Sequence, residues 1–256
     1  ELNKQNFTHN YDAHNNLTSL FIRLFVKSNF ALVRPMMRLK RFLLIQFHVN
    51  LFEKPFSGQR DLIKPLEKWG YKFQQPDAPQ LFINPEVKKN AAAITSEKDY
   101  IVLAPSAAYE LKRWPLEYWD ELIKNNTDKL FYILAGKEDT FTQKLNTNKN
   151  VINFTGQTDL ATSAAIIEKA KLAICNDTGL LHFSEQLGKP TIALMGPAPF
   201  GFPSRSSTFI FEKKLKCRPC SKHGQGPCTN PTYQECLKSI TPTEVSDKMK
   251  HLLEVK

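Results

Sequence analysis

No run of about 18 residues in this 256-residue chain is free of charge, so no segment is expected to cross a membrane as a helix. No basic head followed by an apolar block and a small-residue cleavage site is visible, so no secretory leader is expected within it. Internal repeats and low-complexity tracts are lacking. Basic and aromatic residues do not interleave along any stretch, which argues against a nucleic-acid partner despite a net charge of +10. Acidic residues are missing between Asp12 and Glu53, where Arg23, Lys27, Arg34, Arg38, Lys40 and Arg41 lie among short apolar runs. Residues 21–48 can therefore lie on an anionic membrane face. A core helix whose arginines reach solvent from its edges is the favoured alternative.

Apolar residues make up 41% of the chain, which is ordinary for a folded α/β protein. The length suits one large domain or two small ones. The basic excess favours anionic partners such as nucleotides, phosphorylated glycans or an acidic lipid surface. Residues 60–69 have the pattern of an amphipathic helix ending at Gly70. Residues 74–99 are punctuated by proline and lysine, and the spacing predicts a domain boundary there, with domains over 1–97 and 98–256. From Tyr100 the pattern is regular. Apolar runs at 101–104, 131–135, 151–154, 172–175 and 191–195 predict strands, and helical patterns lie between them at 115–126, 137–146, 160–170 and 178–187. This alternation predicts an α/β fold with a doubly wound parallel sheet. Thr241–Glu254 closes the chain as a capped helix.

Residues 171–196, KLAICNDTGLLHFSEQLGKPTIALMG, are the centre of this pattern. Asn176 and Asp177 end a buried strand, Thr178 opens a helix with Gly179 and His182 in its first turn, and a second buried strand follows Pro190. In open α/β sheets ligands bind at such corners, where free N–H groups and the positive end of the helix dipole favour phosphate. Asp177-Thr178 can equally be only an N-cap, and His182 only a half-buried core histidine.

The ordered set APSAAYELKRWPLEYW, LAGKED, FTGQTDL, ICNDTGLLH, ALMGP, CRPC and ITPTEV resembles the C-terminal half of glycosyltransferase family 9, the family of ADP-heptose:lipopolysaccharide heptosyltransferases. The likeness is dense over residues 98–254 and looser over YDAHNNLTS. It implies a GT-B-like architecture: a C-terminal nucleotide-sugar domain and a Rossmann-like N-terminal domain that is incomplete in this chain. It also implies transfer, with inversion, of a sugar (heptose first among the possibilities) from a nucleoside-diphosphate donor, ADP-linked by resemblance, to a lipopolysaccharide core or related bacterial glycan. No cofactor is implied. The setting would be cytoplasmic, with peripheral contact at the inner membrane. Carried over residue by residue, Lys112 would contact the donor phosphates and Glu138 the ribose. Asp177, Thr178, Gly179 and His182 would form the donor site, and Ser106 could donate a hydroxyl. The loop AAYELKRWP departs from the more polar versions in some heptosyltransferases, which bears on the identity of the sugar. The family's general base belongs upstream of the YDAHNNLTS-like stretch. Asp12 and His14 match a later motif, so no catalytic base is assigned, and a donor-binding module without catalysis is the alternative. Truncating Lys112 or His182 is expected to weaken donor binding and spare the fold, whereas a β-branched residue at Gly179 is expected to harm both.

The cysteines spell C-x2-C-x7-C-x7-C at Cys217, Cys220, Cys228 and Cys236, in a loop over 216–240. The first pair has zinc-knuckle spacing and the second is wider than usual. No metal ligand is assigned: a thiolate-bound metal, a disulfide and free thiols all stay open. Cys175 is expected to be a small core residue.

Overall fold

Strands with apolar residues on both faces must be covered on both faces, and the chain builds a parallel sheet of that kind. The computed structural model describes residues 2–53, 56–95 and 99–254, and it divides into two units, 1–75 and 76–256.

The first unit pairs β1 (His9–Asp12) in parallel with β2 (Phe30–Val33) through α1 (Leu17–Phe25). Asn16 and Ser19 cap α1 reciprocally, each side chain accepting the other's backbone N–H. Asp12 anchors the turn before it. Its carboxylate accepts from the N–H groups of His14 and Asn15 and from Ser19 Oγ, with Arg23 at 3.6 Å. Helices α2 (Arg38–Phe47) and α3 (Gly58–Ile63) follow, and a 3-10 turn over Lys64–Trp69 ends at Gly70. The basic segment is thus not one core helix. It runs through three elements; α1 buries no residue and α2 buries only Leu44.

The second unit carries α4 (Pro85–Ile94), β3 (Tyr100–Ala104), α5 (Leu116–Lys124), β4 (Leu130–Ile133), β5 (Val151–Asn153), α6 (Leu160–Lys169), β6 (Leu172–Asn176), α7 (Gly179–Gln186), β7 (Thr191–Met195), β8 (Thr208–Glu212), α8 (Glu235–Lys238) and α9 (Pro242–Glu254). The sheet order is β5-β4-β3-β6-β7-β8, all parallel. Alternation along β3 feeds two cores. Tyr100, Val102 and Ala104 face α4, α6 and α7, while Ile101 and Leu103 face Trp114, Trp119 of α5 and Met249 of α9. The order reverses between β3 and β6, so the crevice for a ligand opens at their carboxyl ends.

Four departures from the sequence pattern have local causes. The division falls after Gln75 rather than at 97/98, because α4 packs on α6 and Lys88 pairs with Glu168 at 2.7 Å. The stretch between prolines was thus a capped helix, with Asn84 accepting from the Glu86 N–H and Pro85 in its first turn. The helical pattern at 137–146 forms a 3-10 helix over Thr140–Thr147. Strand β8 carries no period-2 signal strong enough to announce it, and pairing with β7 makes it a strand.

Asn176 ties the crevice together. Its side chain is fully buried; Oδ1 accepts from the Trp114 N–H at 3.1 Å and Nδ2 donates to the Pro105 carbonyl at 2.7 Å. The loop after β3 is thereby fixed to the end of β6. On the far side of α7, buried Glu185 accepts from the Ser204 N–H and Oγ and from the Arg205 N–H, which holds the loop after β7. Burial pushes the Glu185 carboxyl up, but these bonds and His182 outweigh it and leave it below the ordinary glutamate value.

Asn176→Ala should lower stability by about 2–4 kcal/mol, since it strands a buried N–H and a buried carbonyl; a denaturant midpoint equal to that of the parent chain would contradict the bridge. Glu185 has the depressed carboxylate sign: its contribution is present above the unfolded value of about 4.3 and is lost as pH falls through the lower folded value. The acid limb of a urea-midpoint profile should therefore be shallower in Glu185→Gln than in the parent.

Candidate functional site

A cleft of about 450 Å³ opens at the switch point, a size suited to a small-molecule ligand. Ser106 and Ala107 reach it from the loop after β3, Gly136 and Glu138 from the loop after β4, and Thr178 and Gly179 from the end of β6. Three far-apart βα loops therefore meet because the sheet brings their strands side by side.

Helix α7 presents its N-terminus to this cleft without a side-chain cap. Thr178 is the N-cap residue by position, yet its side chain makes no capping bond. The neighbouring α6 is different, since Asp159 accepts from the Thr162 N–H. Reading Asp177-Thr178 as only a cap therefore fails for this helix, whose first-turn donors face the cleft. Gly179 is exposed there, and a Cβ built on it meets no atom within 4 Å. The expectation that a side chain at Gly179 would harm the fold is thus corrected: the open space is on the cleft side.

Asp177 and Lys112 form an ion pair at 2.8 Å, with side chains 7% and 14% exposed, and neither lines the cleft. A side chain at Gly201 would strike the Asp177 carboxylate, so the loop after β7 can close over Asp177 only with glycine there. Lys112 is covered in turn by Gly224, whose φ of +88° suits glycine and whose added Cβ would lie 2.6 Å from Lys112 Cγ. Removing Lys112 leaves a buried carboxylate unpaired, so its truncation is not neutral to the fold as the sequence pattern suggested.

His182 is neither in the cleft lining nor in the core. Its side chain is 46% exposed, with Nδ1 3.4 Å from Glu185 Oε2. The half-buried core histidine is therefore not what the chain builds.

Two residues that sequence reasoning passed over also line the cleft, Arg113 and Asp139. Arg113 donates from Nε to the Ala107 carbonyl at 2.9 Å, stacks over Phe141 at 4.5 Å and stands 3.5 Å from Asp139. Asp139 accepts from the Gly136 N–H at 3.1 Å. The signal was present in KRWP and GKED, but adjacent charges give no hint of which one turns inward. The site thus brings the uncapped first turn of α7 together with the Arg113 guanidinium, held by Ala107 and Asp139, and the Glu138 carboxylate.

Comparison with known proteins bears on the family and the fold. The model of glycosyltransferase family 9 (heptosyltransferase) matches residues 1–227. Lipopolysaccharide heptosyltransferase 2 of Escherichia coli K12 is 30% identical over 198 residues, covering 68% of this chain and 53% of that protein. The chain thus spans about half the length of the curated relatives it matches. Among solved structures, a family 9 glycosyltransferase of Veillonella parvula superposes with a TM-score of 0.76 at 20% identity, covering 98% of this chain and 75% of that one. The E. coli heptosyltransferase WaaC with ADP gives 0.62 at 18% identity, with 98% and 74% covered. The fold is α/β with a parallel sheet of the GT-B heptosyltransferase kind. On the family match, this chain belongs to glycosyltransferase family 9, the heptosyltransferases.

Proposed function

We propose that the chain is the donor-binding part of an inverting glycosyltransferase that moves a heptose from ADP-heptose to a lipopolysaccharide core. The observation that carries this is the uncapped N-terminus of α7 opening into the switch-point cleft beside Ser106, Glu138 and Arg113. The solved WaaC structure with ADP, a relative in fold, supports a nucleoside diphosphate as the ligand.

In this reading the diphosphate lies against the first-turn N–H groups of α7 at Thr178 and Gly179, where Gly179 leaves room for it. Ser106 adds a hydroxyl donor. Glu138 accepts from the vicinal hydroxyls of the ribose. As the glycosidic bond breaks, negative charge grows on the leaving diphosphate, and helix donors and the Arg113 guanidinium are already in place for it. Lys112 takes a different part from the one its motif suggests: paired with Asp177, it fixes the corner from which Thr178 and Gly179 project. His182 stands one turn further along α7 and would approach the sugar from there. The acceptor hydroxyl is deprotonated by a base on the acceptor side. Asp12 does not suit that task, because both its carboxylate oxygens are engaged and its acidity is raised: burial pushes its pKa up, and bonds from Asn15, Ser19 and His14 outweigh this.

Contact with an anionic membrane face at the cytoplasmic side is part of the same proposal. Leu17, Phe21, Leu24 and Phe25 of α1 are exposed, in a segment free of acidic residues. Among the described residues no helix is long and apolar enough to cross a membrane.

Calorimetry with ADP, UDP and GDP should show saturable binding with ADP tightest; no binding of any of them at millimolar concentration would overturn the site. Gly179→Val should keep the parent's thermal midpoint and weaken ADP by about tenfold or more, since it fills ligand space alone. Lys112→Ala should instead lose about 3 kcal/mol of stability. Vesicle co-sedimentation should depend on anionic lipid and fade as salt shortens the Debye length below about 8 Å; equal pelleting with neutral vesicles would rule out the electrostatic contact.

A further inference from the structure

Which nitrogen of a neutral imidazole carries the proton is set by the bond the other nitrogen makes, and in α7 one of them faces a buried carboxylate. His182 Nδ1 lies 3.4 Å from Oε2 of Glu185, one turn further along the same helix. The Glu185 side chain is only 2% exposed. Its other oxygen accepts from the Ser204 N–H, from Ser204 Oγ at 2.6 Å and from the Arg205 N–H at 2.7 Å. Those donors belong to the loop after β7, so the carboxylate cannot turn away from His182 without breaking them.

The state of this carboxylate decides the state of the ring. Burial pushes the Glu185 carboxyl up, but the bonds from His182, Ser204 and Arg205 outweigh it, so the group is ionised at neutral pH. An ionised carboxylate has acceptors and no donor. The proton between the two side chains therefore sits on Nδ1, and Nε2 keeps a bare lone pair. Among the described residues no hydrogen bond reaches Nε2, and the His182 side chain is 46% exposed.

We propose that Glu185 is a positioning residue of the donor site: it holds His182 in the Nδ1–H tautomer, so that Nε2 accepts a hydrogen bond from a hydroxyl of the donor sugar. This rests on the reading of the α7 cleft as a nucleotide-sugar site.

The tautomer discriminates between the two halves of such a donor. A diphosphate carries acceptors alone at neutral pH, so a bare Nε2 faces it lone pair to lone pair. A sugar hydroxyl can donate, and the same nitrogen suits it. Placement agrees with chemistry. His182 follows Thr178 by four residues, so it stands on the same helix face about 6 Å along the axis from the N–H groups that would take the diphosphate. An imidazole without a partner favours the other tautomer, with the proton on Nε2, and would then present a donor instead. Glu185 thus selects what His182 recognises, although it touches no ligand itself.

The test begins with long-range proton–nitrogen correlation spectra of the full chain without ligand, recorded on the neutral ring, with the His182 signals assigned by their loss in His182→Ala. The parent should show a protonated Nδ1 and a bare Nε2, and Glu185→Ala should move the ring toward the Nε2–H form. Calorimetry with ADP and ADP-heptose then reads the consequence. In the parent ADP-heptose should bind more tightly than ADP. His182→Ala and Glu185→Ala should each reduce ADP-heptose affinity by about three- to tenfold and leave ADP within about twofold, and the double variant should lose no more than either alone. If Glu185→Ala does not fold, the parent spectrum and His182→Ala decide. A parent ring protonated on Nε2 would overturn the tautomer assignment. Equal losses for ADP and ADP-heptose in His182→Ala would overturn the sugar contact. A protonated Nδ1 in a chain that binds no ADP would instead strike the donor reading, and the sugar contact with it.

Discussion

A buried amide at the end of a central strand is the constraint on which the candidate site depends. Asn176 lies where the strand order reverses, and its amide is fully buried. Its Oδ1 accepts from the Trp114 N–H and its Nδ2 donates to the Pro105 carbonyl, both backbone groups of the loop that follows β3. A hydrophobic residue there would pack equally well against the sheet and leave that loop untethered. Because that loop carries Ser106, Lys112 and Arg113, two buried hydrogen bonds fix the β3 side of the cleft to the end of β6.

Beside that tether, two buried carboxylates are each given partners. Asp177 is nearly buried and would be costly alone, and Lys112 answers it. Glu185 is buried too and is answered by the 204–205 turn. Each pair anchors a loop to one end of α7, the first through the corner before it and the second through the chain after β7. With its own acids engaged on either side, the N-terminus of α7 keeps its dipole and its donors for an incoming anion. An Asp or Ser capping that terminus would have added stability and removed the site.

Much of the second unit was legible in order of residues alone. Strands β3, β6 and β7 are buried on both faces, so they appear as unbroken apolar runs bounded by polar or proline residues, and little else in a soluble chain produces that pattern. The helix over 85–94 was hidden because its flanking prolines imitate a linker, and the 3-10 segment over 140–147 because its spacing imitates an α-helix. Of the candidate residues, Ser106, Glu138, Thr178 and Gly179 do meet in one cleft. Lys112 and Asp177 meet each other instead, since a lysine's motif position gives no account of a carboxylate sixty-odd residues away.

The sequence by itself determined the α/β alternation, the switch-point corner, the cysteine spacing and the family, because these depend on residue type and separation along the chain. The tertiary structure alone decided which of two adjacent cations, Lys112 or Arg113, turns into the cleft. It also decided that Thr178 leaves its helix uncapped, that His182 stays in solvent, and that four distant thiols surround one void. Those outcomes turn on desolvation and on which partner lies within hydrogen-bond reach, and both are properties of positions in space that strand pairing sets only once the sheet has formed.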